Sequence, residues 1–313
     1  MKNHIDLKEK LLSISQGLIV VHAFPDFDAI GSALALQIQL NNQGVPADVF
    51  VTDHLNTQYK ILPTIEGICK QLPDKRYDSL IVLDCSTIER ISGFSYLSHI
   101  IEDINIINID HHKDNTLFGD YQCVEVISSV GELLVALFEA FNWSINKAIA
   151  TCLYAAICYD TGRFAYSNVS YQTFQRAATL IEMGVDSYQI YETLYENKTQ
   201  KSFELLKIAL DRLVVIENKN IAYTSIPFDS PKAHFKLIDF IRELKEVTVV
   251  LVFQEVKKEE VKVNIRSKNH FDVSSFAKIF GGGGHAKAAG FVKKGPLAMI
   301  IDDVLGVLNE SNT

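Results

Sequence analysis

No stretch of this sequence stays apolar over the roughly 20 residues that crossing a bilayer requires. The charged opening MKNHIDLKEKLLSISQG has no signal-peptide core either. A cytoplasmic protein without a membrane partner is therefore expected. Cysteine is scarce: Cys69, Cys85, Cys123, Cys152 and Cys158 are odd in number and none sits in a Cys-x-x-Cys pair, which predicts reduced, partly buried thiols. A basic surplus is also missing, since 30 Lys and Arg face 38 Asp and Glu for a net charge of −8. That argues against coating long nucleic acid. It leaves room for a small phosphorylated ligand, because metal ions and a few arginines can supply local positive charge. Internal repeats and low-complexity tracts are absent. What remains is ordinary for a folded protein, with 48% apolar and 22% charged residues over 313 positions, enough for about two domains.

The first half alternates strand-like and helix-like segments. LIVVH (18–22), ADVFV (47–51), SLIVLD (79–84) and INIINID (104–110) are short apolar runs, and a helical pattern spans Ala29 to about Gln43. This predicts an α/β fold with a doubly wound, mostly parallel sheet buried on both faces. From residue 130 the pattern turns helical until Gly184. The polar segment 186–207 reads as a linker helix, with Tyr188, Tyr191 and Tyr195 at helical spacing. Packing accounts for that stripe, and base stacking is the alternative. Strands return near residue 210, with hairpins around NKN and KKEE, and helices near 235–244 and 296–309 complete a smaller α+β domain.

The ends of the apolar runs carry the chemistry. LIVVH ends in His22, SLIVLD in Asp84, and INIINID runs into Asp110, His111 and His112. Open parallel sheets bind ligands beyond the carboxyl ends of their strands, so three strands would deliver imidazoles and carboxylates to one rim. The loop HAFPDFDAIGS adds Asp26 and Asp28; helix capping would account for Asp28 but not for Asp26 or His22. In AIATCLYAAICYD, Asp160 extends the apolar stripe of a helix, where a carboxylate is costly unless paired or metal-bound. A solvent-facing helix end, or a partner for Arg163, are the alternatives for it. His22, Asp26, Asp28, Asp84, His111 and Asp160 together offer more donors than one ion takes. The mixture suits Mn²⁺, Zn²⁺ or Fe²⁺ better than Mg²⁺, and two ions about 3.5–4 Å apart would use it fully.

HAFPDFDAIGS, LDCS, IDHH and YDTGRF stand in the order of the four motifs of the DHH phosphoesterases, and FGGGGHAKAAG (280–290) resembles the glycine-rich signature of their DHHA1 domain. The resemblance covers nearly the whole chain, and its layout looks most like the stand-alone bacterial nanoRNases, the oligoribonuclease and pAp phosphatase branch. It implies a DHH catalytic domain over 1–185, a linker helix over 186–207 and a DHHA1 substrate domain over 208–313. It further implies two Mn²⁺ ions, one on His22 and Asp26, the other on Asp28, His111 and Asp160, with Asp84 bridging them. His112 would contact the scissile phosphate and Asp110 would orient the imidazoles. The activity implied is hydrolysis of oligonucleotides of two to five units to mononucleotides and of 3'-phosphoadenosine 5'-phosphate (pAp) to AMP. Rivals are linear or cyclic dinucleotide hydrolysis, inorganic pyrophosphatase activity and a non-catalytic nucleotide sensor. Type II pyrophosphatases resemble the N-terminal half but lack the glycine-rich loop. Partners would be short RNA or DNA, pAp or dinucleotides, and a homodimer is an open option.

In the second domain, Gly282, Gly283 and Gly284 can present backbone N–H groups to a phosphate, with His285 beside them; a flexible turn is the alternative. VKVNIRSK alternates so that Lys262, Asn264, Arg266 and Lys268 share one face. A solvated sheet face explains this, yet Arg266 lies where the family carries a phosphate-gripping arginine. Arg163 is a further candidate for substrate contact.

Overall fold

The apolar runs become strands because both of their faces are covered. In the computed structural model, which describes residues 2–231, 237–268 and 270–311 without the side chains of residues 2–4, 285 and 309–311, the chain divides into two compact units, Met1–Asn197 and Lys198–Thr313. The first holds β1 (Gly17–Val21), β2 (Ala47–Val49), β3 (Ser79–Leu83), β4 (Asn105–Asp110) and β5 (Tyr121–Val124) in the order β2-β1-β3-β4-β5. Every pairing in this sheet is parallel, as the sequence reading expects. Alternate residues serve opposite cores: Ile19, Val21, Ile81 and Ile109 join one cluster, and Leu18, Val20, Leu80 and Val82 join another. At about 1.5–3 kcal/mol per fully buried aliphatic side chain, this burial adds to the backbone ladders that pair the strands.

The helices of this unit are α1 (Lys2–Leu12), α2 (Phe27–Asn42), α3 (Phe94–Leu97), α4 (Val130–Phe141), α5 (Lys147–Asp160), α6 (Tyr171–Glu182) and α7 (Ser187–Tyr195). Helix α2 lies closely on α5, and α4 packs on both. Two glycines permit the approach. A Cβ on Gly31 would stand 2.6 Å from the Cys152 carbonyl oxygen, and one on Gly131 would stand 2.6 Å from the Ala156 Cβ.

The second unit comprises α8 (Gln200–Asp211), β6 (Val214–Ile216), β7 (Ile221–Ile226), α9 (Leu237–Ile241), β8 (Val249–Lys257), β9 (Glu260–Ser267), α10 (Val273–Ile279), β10 (Gly283–His285), β11 (Ala288–Lys294) and α11 (Leu297–Ser311). Its sheet runs β10-β11-β9-β8-β7-β6, antiparallel except for β7 on β8. The two expected hairpins form, with Lys258 and Glu259 turning β8 into β9.

Three local features differ from the sequence reading. The segment 186–207 holds two helices, because Thr199 caps α8 with its side chain and so starts a new helix after α7 ends. The glycine stretch is half strand: β10 pairs with β11, and Gly284 must be glycine because a Cβ there would meet the Ala288 carbonyl oxygen at 2.4 Å. Strand β5 and helix α10 were too short for a periodic signal. Among the described residues no helix is long and apolar enough to cross a membrane.

Candidate metal centre

The carboxyl ends of β1, β3 and β4 gather the polar residues at one rim. After β1 the chain is pinned twice, by Ser92 N–H donating to the Val21 carbonyl at 2.7 Å and Ala23 N–H donating to the Arg90 carbonyl at 2.7 Å. His22 Nδ1 lies 2.9 Å from the Ala23 carbonyl oxygen. A carbonyl can only accept, so Nδ1 carries hydrogen and the neutral ring keeps its lone pair on Nε2, 3.6 Å from Asp84 Oδ2. Asp26, rather than Asp28, caps α2: its Oδ1 accepts from the backbone N–H groups of Asp28 at 2.9 Å and Ala29 at 3.1 Å.

Asp28 is wholly buried and held by the N-terminus of α4. Its Oδ2 accepts from Val130 N–H at 2.8 Å, and its Oδ1 from Gly131 N–H at 2.9 Å and the Ser32 hydroxyl at 3.2 Å. The positive end of a helix suits a carboxylate there. Burial and then the charge of Asp84 still push its pKa up to about 7.

Asp84 sits between the two imidazoles. Its Oδ2 faces His22, while its Oδ1 lies 3.3 Å from His111 Nε2. The Asp84 backbone is left-handed, with φ of 55°, a strained conformation for a residue with a Cβ. Its Oδ1 is buried without a hydrogen bond of acceptable geometry. Burial alone would raise its pKa, but the His111 and His22 imidazoles hold the carboxyl well below the usual range. Conversely, burial opposes a proton on His22, yet Asp84 and then Asp26 push its pKa up to about 9. His111 is raised in the same way by Asp84, Asp28 and Asp160.

His111 repeats the arrangement of His22: Nδ1 meets the Ile127 carbonyl at 3.2 Å, and Nε2 lies 3.8 Å from Asp28 Oδ2 and 3.5 Å from Asp160 Oδ2. Asp160 ends α5 with its side chain 28% exposed, and burial followed by the Asp28 charge raises its pKa. It is not paired with Arg163 among the described residues; that guanidinium lies over the Tyr195 ring, 4.9 Å from the centroid. His112 turns Nδ1 to Asp110 Oδ1 at 2.7 Å. Burial disfavours the imidazolium, but the Asp110 hydrogen bond and the charges of Asp84 and Asp110 together outweigh it and the pKa of His112 rises.

Ligand atoms of His22, Asp26 and Asp84 lie within 4.8 Å of one another, as do those of Asp28, His111 and Asp160. A third group, Asp84, Asp110, His111 and His112, meets the same distance. In that group Asp110 and His112 are already hydrogen-bonded to each other, which fits an orienting pair better than two ligands. The donor chemistry suits a divalent cation: imidazoles whose Nδ1 meets a carbonyl and whose Nε2 faces the carboxylates, clustered carboxylates, and a buried carboxylate oxygen lacking a hydrogen bond.

Two supports carry no sequence signal. Asn115 Nδ2 donates to Asp110 Oδ2 at 2.6 Å and to Asn108 Oδ1 at 2.9 Å, fixing the carboxylate that orients His112. Buried Glu132, in the first turn of α4, accepts from Thr173 Oγ1 at 2.9 Å, from Arg176 at 2.6 Å and from the Ser128 hydroxyl, tying α4 to α6. An asparagine in a loop and a glutamate in a helix have no period to betray them.

The candidates of the second unit lie on its β9–β11–β10 side. Arg266 Nε is 3.8 Å from Asp239 Oδ1, and an Nη donates to the Ile265 carbonyl at 3.2 Å. Gly282 precedes β10, Gly283 and Gly284 lie within it, and the side chain of His285 is outside the described residues.

Comparison with known proteins identifies the family. Residues 16–157 match the DHH family, N-terminal domain, and residues 218–310 match the DHHA1 domain. The Thermus thermophilus bifunctional oligoribonuclease and PAP phosphatase NrnA is 30% identical, covering 94% of this chain and 90% of its own. The Bacillus subtilis protein of the same name is 25% identical over 86% of each chain. The crystal structure of an exopolyphosphatase-related protein from Bacteroides fragilis superposes with a TM-score of 0.89 at 25% identity, covering 100% of this chain and 98% of that one. By its two domains and by these relatives, the chain belongs to the DHH/DHHA1 phosphoesterase family.

Proposed function

We propose that this protein is a metal-dependent phosphoesterase that hydrolyses oligonucleotides of two to five units to mononucleotides and pAp to AMP. One observation carries the reading: the two oxygens of Asp84 are divided between His22 and His111, each in its own cluster of ligand atoms. His22 and Asp26 would hold one ion, Asp28, His111 and Asp160 a second, and Asp84 both; Mn²⁺ suits the mixed donors. Bound ions of this kind neutralise phosphoryl charge and lower the pKa of water.

The protein's own groups do the rest. Asp110, held by Asn115, keeps His112 protonated at Nδ1 and favours its cationic form, suited to a phosphate oxygen. Arg266, with the backbone of Gly282, Gly283 and Gly284 and with His285, would hold the remainder of the nucleotide, and Arg163 would meet a second phosphate. The Thermus and Bacillus relatives are named for oligoribonuclease and PAP phosphatase activity, which supports oligoribonucleotides and pAp as substrates. Five free cysteines suit a reducing, cytoplasmic setting.

The test is turnover of pAp, RNA dimers, five-mers, pApA, cyclic di-AMP and pyrophosphate, each with Mn²⁺ and with Mg²⁺. Hydrolysis of pAp and the short RNAs is expected. Preference for cyclic di-AMP or pyrophosphate, or no turnover of any of them, overturns the reading.

A further inference from the structure

Asp84 is strained at the centre of the ligand cluster, where its placement between two imidazoles accounts for the strain. Phe24 is strained in the loop beside it and nothing above accounts for that. Its φ is 56°, a left-handed backbone that suits glycine or asparagine and is rare for a bulky side chain. Its ring is 88% exposed, the most of any large apolar side chain described. Two unfavourable features therefore coincide at one residue, and no ring or cation faces it among the described residues.

The surrounding loop keeps the ring where it is. On one side Ala23 N–H donates to the Arg90 carbonyl and His22 bridges to Ile91; on the other the Tyr59 hydroxyl donates to the Pro25 carbonyl at 2.8 Å and Asp26 caps α2. Phe24 is thus the single unsupported residue of a pinned loop, two positions from His22 and two from Asp26. At about 3.8 Å per residue its Cα stays within about 8 Å of both. A nucleotide with its phosphate at the cluster carries its base within reach of such a ring. A flat, rigid, solvent-facing aromatic binds any base by stacking, with little ordering cost.

We infer that Phe24 is a stacking platform for the nucleobase next to the phosphate under attack, a specificity residue that makes the centre prefer nucleotides over base-free phosphoesters. This rests on the nucleotide phosphoesterase reading above. It predicts tolerance of any base, since stacking does not read hydrogen-bonding edges.

The experiment compares kcat/KM for pAp and for 1-deoxyribose 3,5-bisphosphate, which keeps both phosphates and lacks the base. Wild type is expected to favour pAp. In Phe24→Gly, which relieves the backbone, the melting temperature should rise while the preference for pAp falls about ten- to a hundredfold, mostly through KM. Phe24→Leu should lose the preference as well, and Phe24→Tyr should keep it. A preference unchanged in Phe24→Gly and Phe24→Leu overturns the inference, as does an equal loss for both substrates, which would make Phe24 a support of the loop. Wild type that turns over neither compound defeats the phosphoesterase reading itself, and the inference with it.

Discussion

Four carboxylates, Asp28, Asp84, Asp110 and Glu132, are buried in the first unit, whereas no charged side chain is buried among the described residues of the second. Both units use the same alternation of apolar residues to cover two faces of a sheet. The difference lies in what the strand ends are for. Buried charge destabilises a fold unless it is paired, so a cluster of it at one rim marks where stability has been traded for chemistry. The second unit shows what a sheet looks like without that demand: its buried polar side chains, Ser202, Thr224, Ser267 and Ser274, are all uncharged.

The sharpest way to break this contrast is Asp84→Asn. The proposed shared ligand loses its charge, and hydrolysis of pAp should fall by more than about 10³-fold, several kcal/mol of barrier. Retained turnover would remove the first unit's claim to the chemistry. Next comes Asn115→Ala, which takes a donor from buried Asp110 and releases the orientation of His112. A loss of about 10- to 100-fold in kcat is expected, with metal affinity measured by titration to show that the cluster itself survives. In the second unit, Arg266→Ala should raise KM about tenfold and leave kcat in place, the cost of one charge-assisted hydrogen bond to phosphate. An effect on kcat instead would blur the division of labour.

Protons sharpen the comparison further. Without metal, Asp84 and Asp26 lift the pKa of His22 to about 9, and burial with Asp84 lifts that of Asp28 to about 7. A raised pKa means the folded, metal-free site holds protons that the unfolded chain has given up at the same pH. A metal ion must displace them, so apparent affinity should climb as pH rises towards 9, by up to about tenfold per unit for each proton released. Calorimetry in two buffers of different ionisation enthalpy reads the release. Affinity independent of pH between 6 and 9 would show that these groups are not ligands.

The smallest effect concerns Gln39, whose side-chain nitrogen and oxygen are both buried without a hydrogen bond. It lies in α2, and no function claims it. Gln39→Leu should stabilise the protein by about 1–2 kcal/mol in chemical denaturation and leave turnover as it is. A loss of turnover would mean that even this burial serves the site.

How much of this was legible in the sequence follows from how each part makes its mark. Strands β1, β3 and β4 announce themselves by apolar runs, and the residues that end them, His22, Asp84 and Asp110 to His112, were readable for that reason. Helical periodicity placed Asp160 on the apolar stripe of α5 but also allowed a solvent-facing helix end, and the YDTGRF motif is what singled it out. The capping role of Asp26 was not readable, because whether Asp26 or Asp28 caps α2 depends on a two-residue shift of the helix start that propensity does not resolve. Glu132 acts through hydrogen bonds to Thr173 and Arg176, 41 and 44 residues further on, and Asn115 through loop contacts to Asp110 and Asn108; neither side chain follows a period that marks it. The glycine stretch reads as a phosphate-binding loop or a flexible turn; its strand character comes only from its pairing with β11.

The close seating of α4 and α5 bears on how such a protein can diverge. A Cβ on Gly131 would stand 2.6 Å from the Ala156 Cβ, so adding one methyl group there would push α4 off α5 and shift the Val130 and Gly131 amides from which Asp28 hangs. Drift there is barred in a single step. A change at 131 must loosen two helices together, whereas the exposed Phe24 ring can be exchanged without disturbing a packed helix.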